Sequence, residues 1–336
     1  MKIIKKNIKL LIGIIIGILI GGSAVIAETI IEANHIKYSN SKTEKTNVQD
    51  AIDELYELSE NLKNNNFSSL ILKNNKVINK EPTLITSSNN TSDESGLYKS
   101  TNTNSGTTYY FRGNVENNYV SFAGFTWRIV RINEDGTVRL IMQDGINNNT
   151  TYAFNTNYNS YAYMYYTNSQ VKTILESWYQ ANIGSKADLA KNVASGNYYC
   201  EQAKTQYSSS SAISGSANVT VYSSYIPDFK CSNDGNRKGQ VNASVGLLTY
   251  DEVVYAGGYF NQTNINYYLY NPSIYFWTMS PAGFISGYSN VWGVYTAGCI
   301  FDFINGTYAI RAVINLKTDT QISLGDGTKD NPYVLS

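Results

Sequence analysis

Hydrophobic and polar positions divide the chain into an apolar N-terminal run, a polar stretch with one periodic segment, and a long β-rich remainder. An uncharged run from Leu10 to Ala27 follows Lys2, Lys5, Lys6 and Lys9. As a helix it would be roughly 27 Å long, close to the ~30 Å hydrocarbon core of a bilayer. Lysines on the N-terminal flank keep that end in the cytoplasm and send the rest outside. Val25-Ile26-Ala27 suits cleavage, which makes residues 1–27 a signal peptide, or the run is kept as a signal anchor. Gly13, Gly17 and Gly21 lie at GxxxG spacing, which lets a retained helix pack closely against another. Residues 28–45 read as a tether. The C-terminus carries no apolar tail, so membrane attachment is expected only through residues 10–27.

Thr46-Asn-Val-Gln49 reads as a capping box. Val48, Ala51, Leu55, Leu58 and Leu62 then recur at spacings of three and four, which predicts a helix over 46–63. It is either a short coiled-coil-like seam or an amphipathic helix lying on a domain. Residues 64–107 are rich in Asn, Ser and Thr around one apolar island, Leu70-Ile-Leu72, and read as a polar linker.

From residue 108 to 336 the pattern is that of an extracellular α+β domain. Strands are expected at Tyr109–Gly113, Tyr119–Ile132 and Thr137–Met142, the last two joined by the turn Asn133-Glu-Asp-Gly136. Residues 145–168 form a loop crowded with Asn and Tyr. One helix is expected from Ser169 (Val171, Ile174, Leu175, Trp178) to Gly184, and a second from the capping box Thr249-Tyr-Asp-Glu252 to Gly257-Gly258. Short strands follow at Asn266–Tyr270, Tyr275–Met279, Val291–Tyr295, Cys299–Ile304 and Tyr308–Leu316.

Composition narrows the function. An apolar fraction of 42% supports a real core, so the chain is not a disordered one. Net charge is zero, and beyond the first ten residues there is no basic run, which excludes the electrostatic footprint of a nucleic-acid binder. Only 15% of residues are charged, while Tyr alone occurs 29 times. Such a surface stacks and hydrogen-bonds rather than pairing ions, although AT-rich coding by itself also enriches Asn, Ile, Lys and Tyr.

In an exported chain disulfides persist. Cys200 and Cys231 flank a Ser/Tyr-rich stretch with little structural signal of its own, and pairing them closes a loop of about 32 residues, worth roughly 3.5–4 kcal/mol in the chain-entropy model. Three cysteines allow three pairings, and this one is inferred from position. Cys299 is then a buried free thiol or an intermolecular link.

Gly96-Leu-Tyr-Lys99, Tyr110-Phe-Arg-Gly113, Asn118-Tyr-Val120 and Trp127-Arg-Ile-Val-Arg-Ile132 together resemble a family of exported Gram-positive surface proteins of uncertain role. So do Gly246-Leu-Leu-Thr-Tyr-Asp-Glu-Val-Val-Tyr-Ala-Gly257, Trp277-Thr-Met-Ser-Pro281 and the stretch Asp326–Pro332. The segment Asn47–Tyr56 is similar to helices of phage tail-fibre proteins. The C-terminal Trp-x-x-Ser-Pro, Val-x-x-Val and Arg-x-Val elements resemble the C-type-lectin-like superfold, in the branch of sulfatase-modifying-enzyme-like domains and retroelement-diversified receptors. That resemblance implies a mixed domain with short antiparallel strands and two main helices. Where relatives carry Arg-Pro-Val, this chain has Arg311-Ala312-Val313. The Glu-Pro-Asn and Trp-Asn-Asp motifs of calcium-dependent sugar binding are missing, so calcium-mediated recognition is not implied.

Catalytic constellations are sparse. The only histidine, His35, lies in the tether, which rules out a His-based triad or histidine metal site in the domain. Ser169-Gln-Val-Lys172 matches a Ser-x-x-Lys pattern without its partner motifs. Asp251 and Glu252 at a helix start are explained by capping, and Asp326-Gly327 by a turn. The paired C-terminal cysteines of sulfatase-modifying enzymes are absent. No enzyme activity, cofactor or metal is therefore expected. The expected function is a receptor- or adhesin-like module for a protein or glycan, with Trp292, Tyr295, Phe301, Phe303, Asn305 and Tyr308 as the ligand surface. Period two places about half of these strand aromatics in the core. Residues 145–168 are a second surface. The alternative is an assembly component that forms a homo-oligomer through its N-terminal helices.

Overall fold

A computed structural model describes residues 48–50, 52–53, 66–82, 94–201, 227–231, 239–258, 264–285, 287–295 and 298–335. The chain divides into two compact units, Met1–Asn64 and Asn65–Ser336. In the first, residues 48–50 and 52–53 are helical, and the Gln49 amide donates to Asp53 one turn on at 2.8 Å. The membrane run, the tether and most of the 46–63 helix lie outside the described residues. Among the described residues no helix is long and apolar enough to cross a membrane.

The second unit is a mixed α+β fold with a curled sheet and few helices. Its strands are β1 (Val77–Ile78), β2 (Gly96–Ser100), β3 (Thr108–Arg112), β4 (Tyr119–Phe122), β5 (Phe125–Ile132), β6 (Val138–Met142), β7 (Thr151–Ala153) and β8 (Gly196–Cys200). Then come β9 (Gln240–Ala243), β10 (Phe276–Ile285), β11 (Tyr288–Tyr295), β12 (Gly298–Phe303), β13 (Thr307–Ala309), β14 (Val313–Leu316), β15 (Ile322–Leu324) and β16 (Tyr333–Leu335). The longer helices are α1 (Phe67–Asn74), α2 (Gln170–Tyr179) and α3 (Tyr250–Ala256).

The larger sheet runs β1-β2-β3-β5-β4-β16-β15, with β6 and β14 added beside β5. Eight-residue β5 organises it. Its C-terminal half pairs with β3 (Tyr110↔Arg131), its N-terminal half with β4 (Phe122↔Phe125), and β6 lies along the other edge. The second sheet is ordered β12-β11-β10-β13-β7, and β8 and β9 form a separate ladder.

Several expected elements are redrawn. The supposed linker 64–107 contains α1 and β2. Asn66 caps α1 by accepting from the Ser69 amide at 2.9 Å, and Phe67 and Ile71, one turn apart, are buried. Phe67 packs edge-on against Tyr333, which ties this helix to the C-terminal strand. Tyr308–Leu316 is two strands, not one: β13 belongs to the smaller sheet, while β14 pairs with β6 in the larger. Between them Arg311 is buried, donating through Nε to the Met142 carbonyl (2.8 Å) and through Nη1 to Leu269 (3.1 Å). Residues 266–270 form turns rather than a strand, because the Tyr268 and Tyr270 amides donate to Gly113 and Tyr267 instead of to a ladder. Strand β10 outlasts its expected end at Met279, since a register shift around Pro281 accommodates the residue that has no amide to donate.

Of the two expected capping boxes, Thr46–Gln49 begins outside the described residues and the second is present. Thr249 and Glu252 form the reciprocal box at the start of α3, and Gly257, at φ 119°, ends it in the left-handed region that a side chain would resist. Arg112 crosses from β3 to donate to the carbonyls of Val254 (2.9 Å) and Tyr255 (2.8 Å), placing a cation at the negative end of that helix. In the loop after β6, Asn147, Asn148 and Asn149 all have positive φ (51°, 58° and 64°), which Asn tolerates better than other non-glycine residues.

Candidate functional site

The expected ligand surface does not lie on one face. β11 is a central strand, buried along nearly its whole length, so its side chains have cover on both sides. Trp292 is 2% exposed and stacks on Tyr250 of α3 with ring centroids 4.1 Å apart, while Phe301 meets it edge-on at 5.6 Å. Tyr308 is also buried, edge-on to Trp277 at 4.3 Å. Its hydroxyl donates to Asp302, as does that of half-buried Tyr295 at 3.1 Å. Burial, assisted by nearby Tyr275, pushes the Tyr308 phenol up to about 12. Trp292 and Tyr308 therefore hold the sheet together. Of the six expected residues only Phe303, 47% exposed, and Asn305 lie at the surface, with Tyr295 and Phe301 between.

A different aromatic cluster forms at the end of the same sheet. Tyr288, at the start of β11, is 41% exposed. It lies 5.3 Å from the Tyr158 ring and 5.5 Å from Phe303. Ser289 fixes the arrangement: its amide donates to the Tyr158 carbonyl (2.8 Å) and its hydroxyl to the Ser160 carbonyl (2.6 Å). The Ile304 amide in turn donates to Ser289, and the Asn155 amide to Ile304. The neighbouring Tyr161 is exposed as well. Two stretches that the sequence suggests as separate surfaces, 145–168 and 288–308, thus meet at one place. Period-two reading could have found Tyr288 and Phe303 on one face, but not the loop that joins them.

A second concave feature is polar. A cleft of about 290 Å³ opens between the β5–β6 hairpin, β8, residues 227–231 and the first turn of α3. On its floor Arg131 and Arg139, paired across β5 and β6, share the Glu252 carboxylate. Arg131 Nε reaches Glu252 Oε1 at 3.1 Å, and Arg139 Nη1 donates to the same oxygen. Burial alone would raise the Glu252 carboxyl, but Arg139 and Arg131 outweigh it and hold the group below its ordinary range. Burial, then Arg139, lowers Arg131. Glu252 Oε2 meanwhile accepts from the Thr249 amide at 2.9 Å, so one side chain completes the capping box and neutralises the strands. The signal for this cluster was present in the sequence: arginines inside otherwise apolar strands require a counter-ion, and Glu252 follows an N-cap.

One wall of the cleft is covalent. Cys200 and Cys231 are disulfide-bonded with Cα atoms 5.8 Å apart, as the sequence reading expects, and Cys299 is a buried free thiol whose pKa burial raises. Two residues before Cys231, Phe229 packs against Tyr255 (4.3 Å) and beneath the Arg131 guanidinium (4.9 Å).

The remaining motifs resolve into structure. Ser169 is the N-cap of α2, accepting from the Lys172 amide at 3.0 Å, while Lys172 pairs with Glu176 at 2.6 Å. Asp326 accepts from the Thr328 amide and hydroxyl in a tight turn. Among the described residues no cluster of three or more His, Cys, Asp or Glu is placed to hold a metal ion. No protein-family model matches this chain, no curated protein matches it, and no solved structure does.

Proposed function

We propose that this chain is an exported surface module that recognises a protein or glycan through the aromatic end of its smaller sheet, without catalysis. The observation that carries this is the Tyr158–Tyr288–Phe303 cluster, whose rings come from three chain segments and are held by backbone hydrogen bonds. Rigid, partly exposed aromatics supply contact area at low entropic cost, and the Asn and Ser residues around them offer adaptable hydrogen bonding. The Lys-flanked apolar run and the disulfide support placement on the outer face of the cytoplasmic membrane, or secretion after cleavage at Ala27. The C-type-lectin-like assignment belongs to the same proposal. The antiparallel pairing of the Trp277–Pro281 strand with β11, and the buried arginine of Arg311-Ala312-Val313, support it.

The test is a screen of the full chain against glycans and surface proteins, repeated with Tyr288→Ala and Phe303→Ala. A ligand lost in both variants, with circular dichroism unchanged, supports the reading. A ligand that both variants retain overturns the location. No ligand at all, together with self-association that truncation before residue 64 abolishes, replaces recognition with assembly through the N-terminal helices.

A further inference from the structure

We propose that Glu201 is a positioning residue for the aromatic end: from a backbone anchored at the disulfide, its carboxylate holds the loop that carries Tyr158 and Tyr161. The functional meaning of this role rests on the reading of that end as the recognition surface.

Glu201 directly follows Cys200 at the end of β8 and is 2% exposed. Its main chain is fixed by the Cys200–Cys231 bond one residue away and by its own amide, which donates to the Gly239 carbonyl at 3.0 Å. Among the described residues no lysine or arginine pairs with the carboxylate. A buried carboxylate without a counter-ion is costly unless hydrogen bonds compensate it. Among the described residues those bonds come from Thr167 alone. The Thr167 amide donates to Oε2 at 2.7 Å, and its hydroxyl lies 2.7 Å from both carboxylate oxygens. Bonds to an ionised acceptor are roughly twice as strong as neutral ones.

The place of Thr167 in the loop decides what is held. Met164, Tyr165 and Tyr166 are buried, but Thr167 and Asn168 after them are exposed, so packing does not fix them. Asn168 stitches two parts of the loop together. Its carbonyl accepts from the Asn155 side chain and its own side chain donates to the Ala162 carbonyl, both at 2.9 Å. Between those two points Tyr158 and Ser160 offer the carbonyls to which Ser289 of β11 donates. A continuous set of contacts therefore runs from the disulfide through Glu201, Thr167 and Asn168 to the Tyr158–Tyr288 ring pair.

The experiment is hydrogen exchange of the intact, oxidised chain, read at single amides by NMR, in the wild type, Glu201→Gln and Thr167→Val. Glu201→Gln keeps the shape of the side chain but puts a donor where one acceptor stood. In this variant the Ser289 amide, bonded to Tyr158, and the Asn155 amide, bonded to Ile304, are expected to exchange about tenfold faster through local opening of the loop. Amides of the β5–β6 ladder are expected to keep their rates. Thr167→Val removes one exposed hydroxyl and keeps the main-chain amide. It is expected to accelerate the same two amides to a smaller extent, and it reports the coupling even where Glu201→Gln does not fold. Unchanged exchange at Ser289 and Asn155 overturns the proposal. So does an acceleration shared equally by β5 and β6, which makes Glu201 a general contributor to stability. No ligand enters the measurement, so it fails separately from the binding screen: a failed screen removes recognition from the aromatic end, and a flat exchange result removes Glu201 from its support.

Discussion

Arg131 and Arg139 stand directly opposite each other on neighbouring antiparallel strands and lean on one carboxylate, that of Glu252 in α3. Like charges facing each other across a ladder repel, and here both are buried. The two strands therefore tolerate this pair only with α3 docked over them. The ion cluster makes the position of the helix a condition for the register of β5 and β6.

Glu252→Gln should destabilise the domain by about 3–5 kcal/mol, since it leaves two buried guanidinium groups without their shared counter-ion. Urea unfolding at neutral pH measures this. A loss no larger than that of a surface substitution would show that the cluster contributes little.

The same residue sets an acid limb. The native Glu252 carboxyl lies below its unfolded value of 4.5, so its contribution is fully present above that value and is lost as pH falls through the lower native one. Stability of the wild type should therefore decline more steeply below about pH 4.5 than that of Glu252→Gln. Parallel stability–pH curves would contradict the assignment.

Cys299 should react with an alkylating reagent only after denaturation, because it is fully buried and burial raises its thiol pKa. Mass spectrometry of native protein should find no modification, and of denatured, unreduced protein a single one. Replacing Cys200 and Cys231 by serine should cost about 2–5 kcal/mol while leaving Cys299 protected.

Trp292→Ala and Phe303→Ala should separate packing from recognition. Trp292, stacked on Tyr250, should cost about 3–5 kcal/mol. Half-exposed Phe303 should cost about 1 kcal/mol or less. Thermal melts distinguish them, and equal losses would place Phe303 in the core as well.

Local signals were the legible ones. Thr249 and Glu252 announce α3, Ser169 announces α2, Asn133–Gly136 marks the β5–β6 turn, and the cysteine pairing follows from the featureless stretch it closes. Non-local decisions were not legible. Whether Trp292 faces the core depends on Tyr250 lying over it, forty-two positions earlier in the chain. The polar texture of 64–107 hid α1, because Phe67 and Ile71 alone carry its buried face. Arg311 breaks one apparent strand into two by using its side chain to bridge carbonyls from distant segments. Tyr158 joins the surface through Ser289 and the Tyr288 ring, and contacts between a loop and a strand leave no periodic trace.

The disulfide has a further consequence for what the chain can carry. Its two cysteines bring the ends of the intervening stretch to within 5.8 Å at the level of their Cα atoms, next to the β8–β9 ladder. Once those ends are fixed covalently, lengthening the stretch between them adds only about 0.6 kcal/mol of closure entropy per doubling, and the bond already restrains the unfolded chain in the same way. A longer or shorter stretch between Cys200 and Cys231 therefore changes the closure entropy of the chain only slightly while the bond is intact.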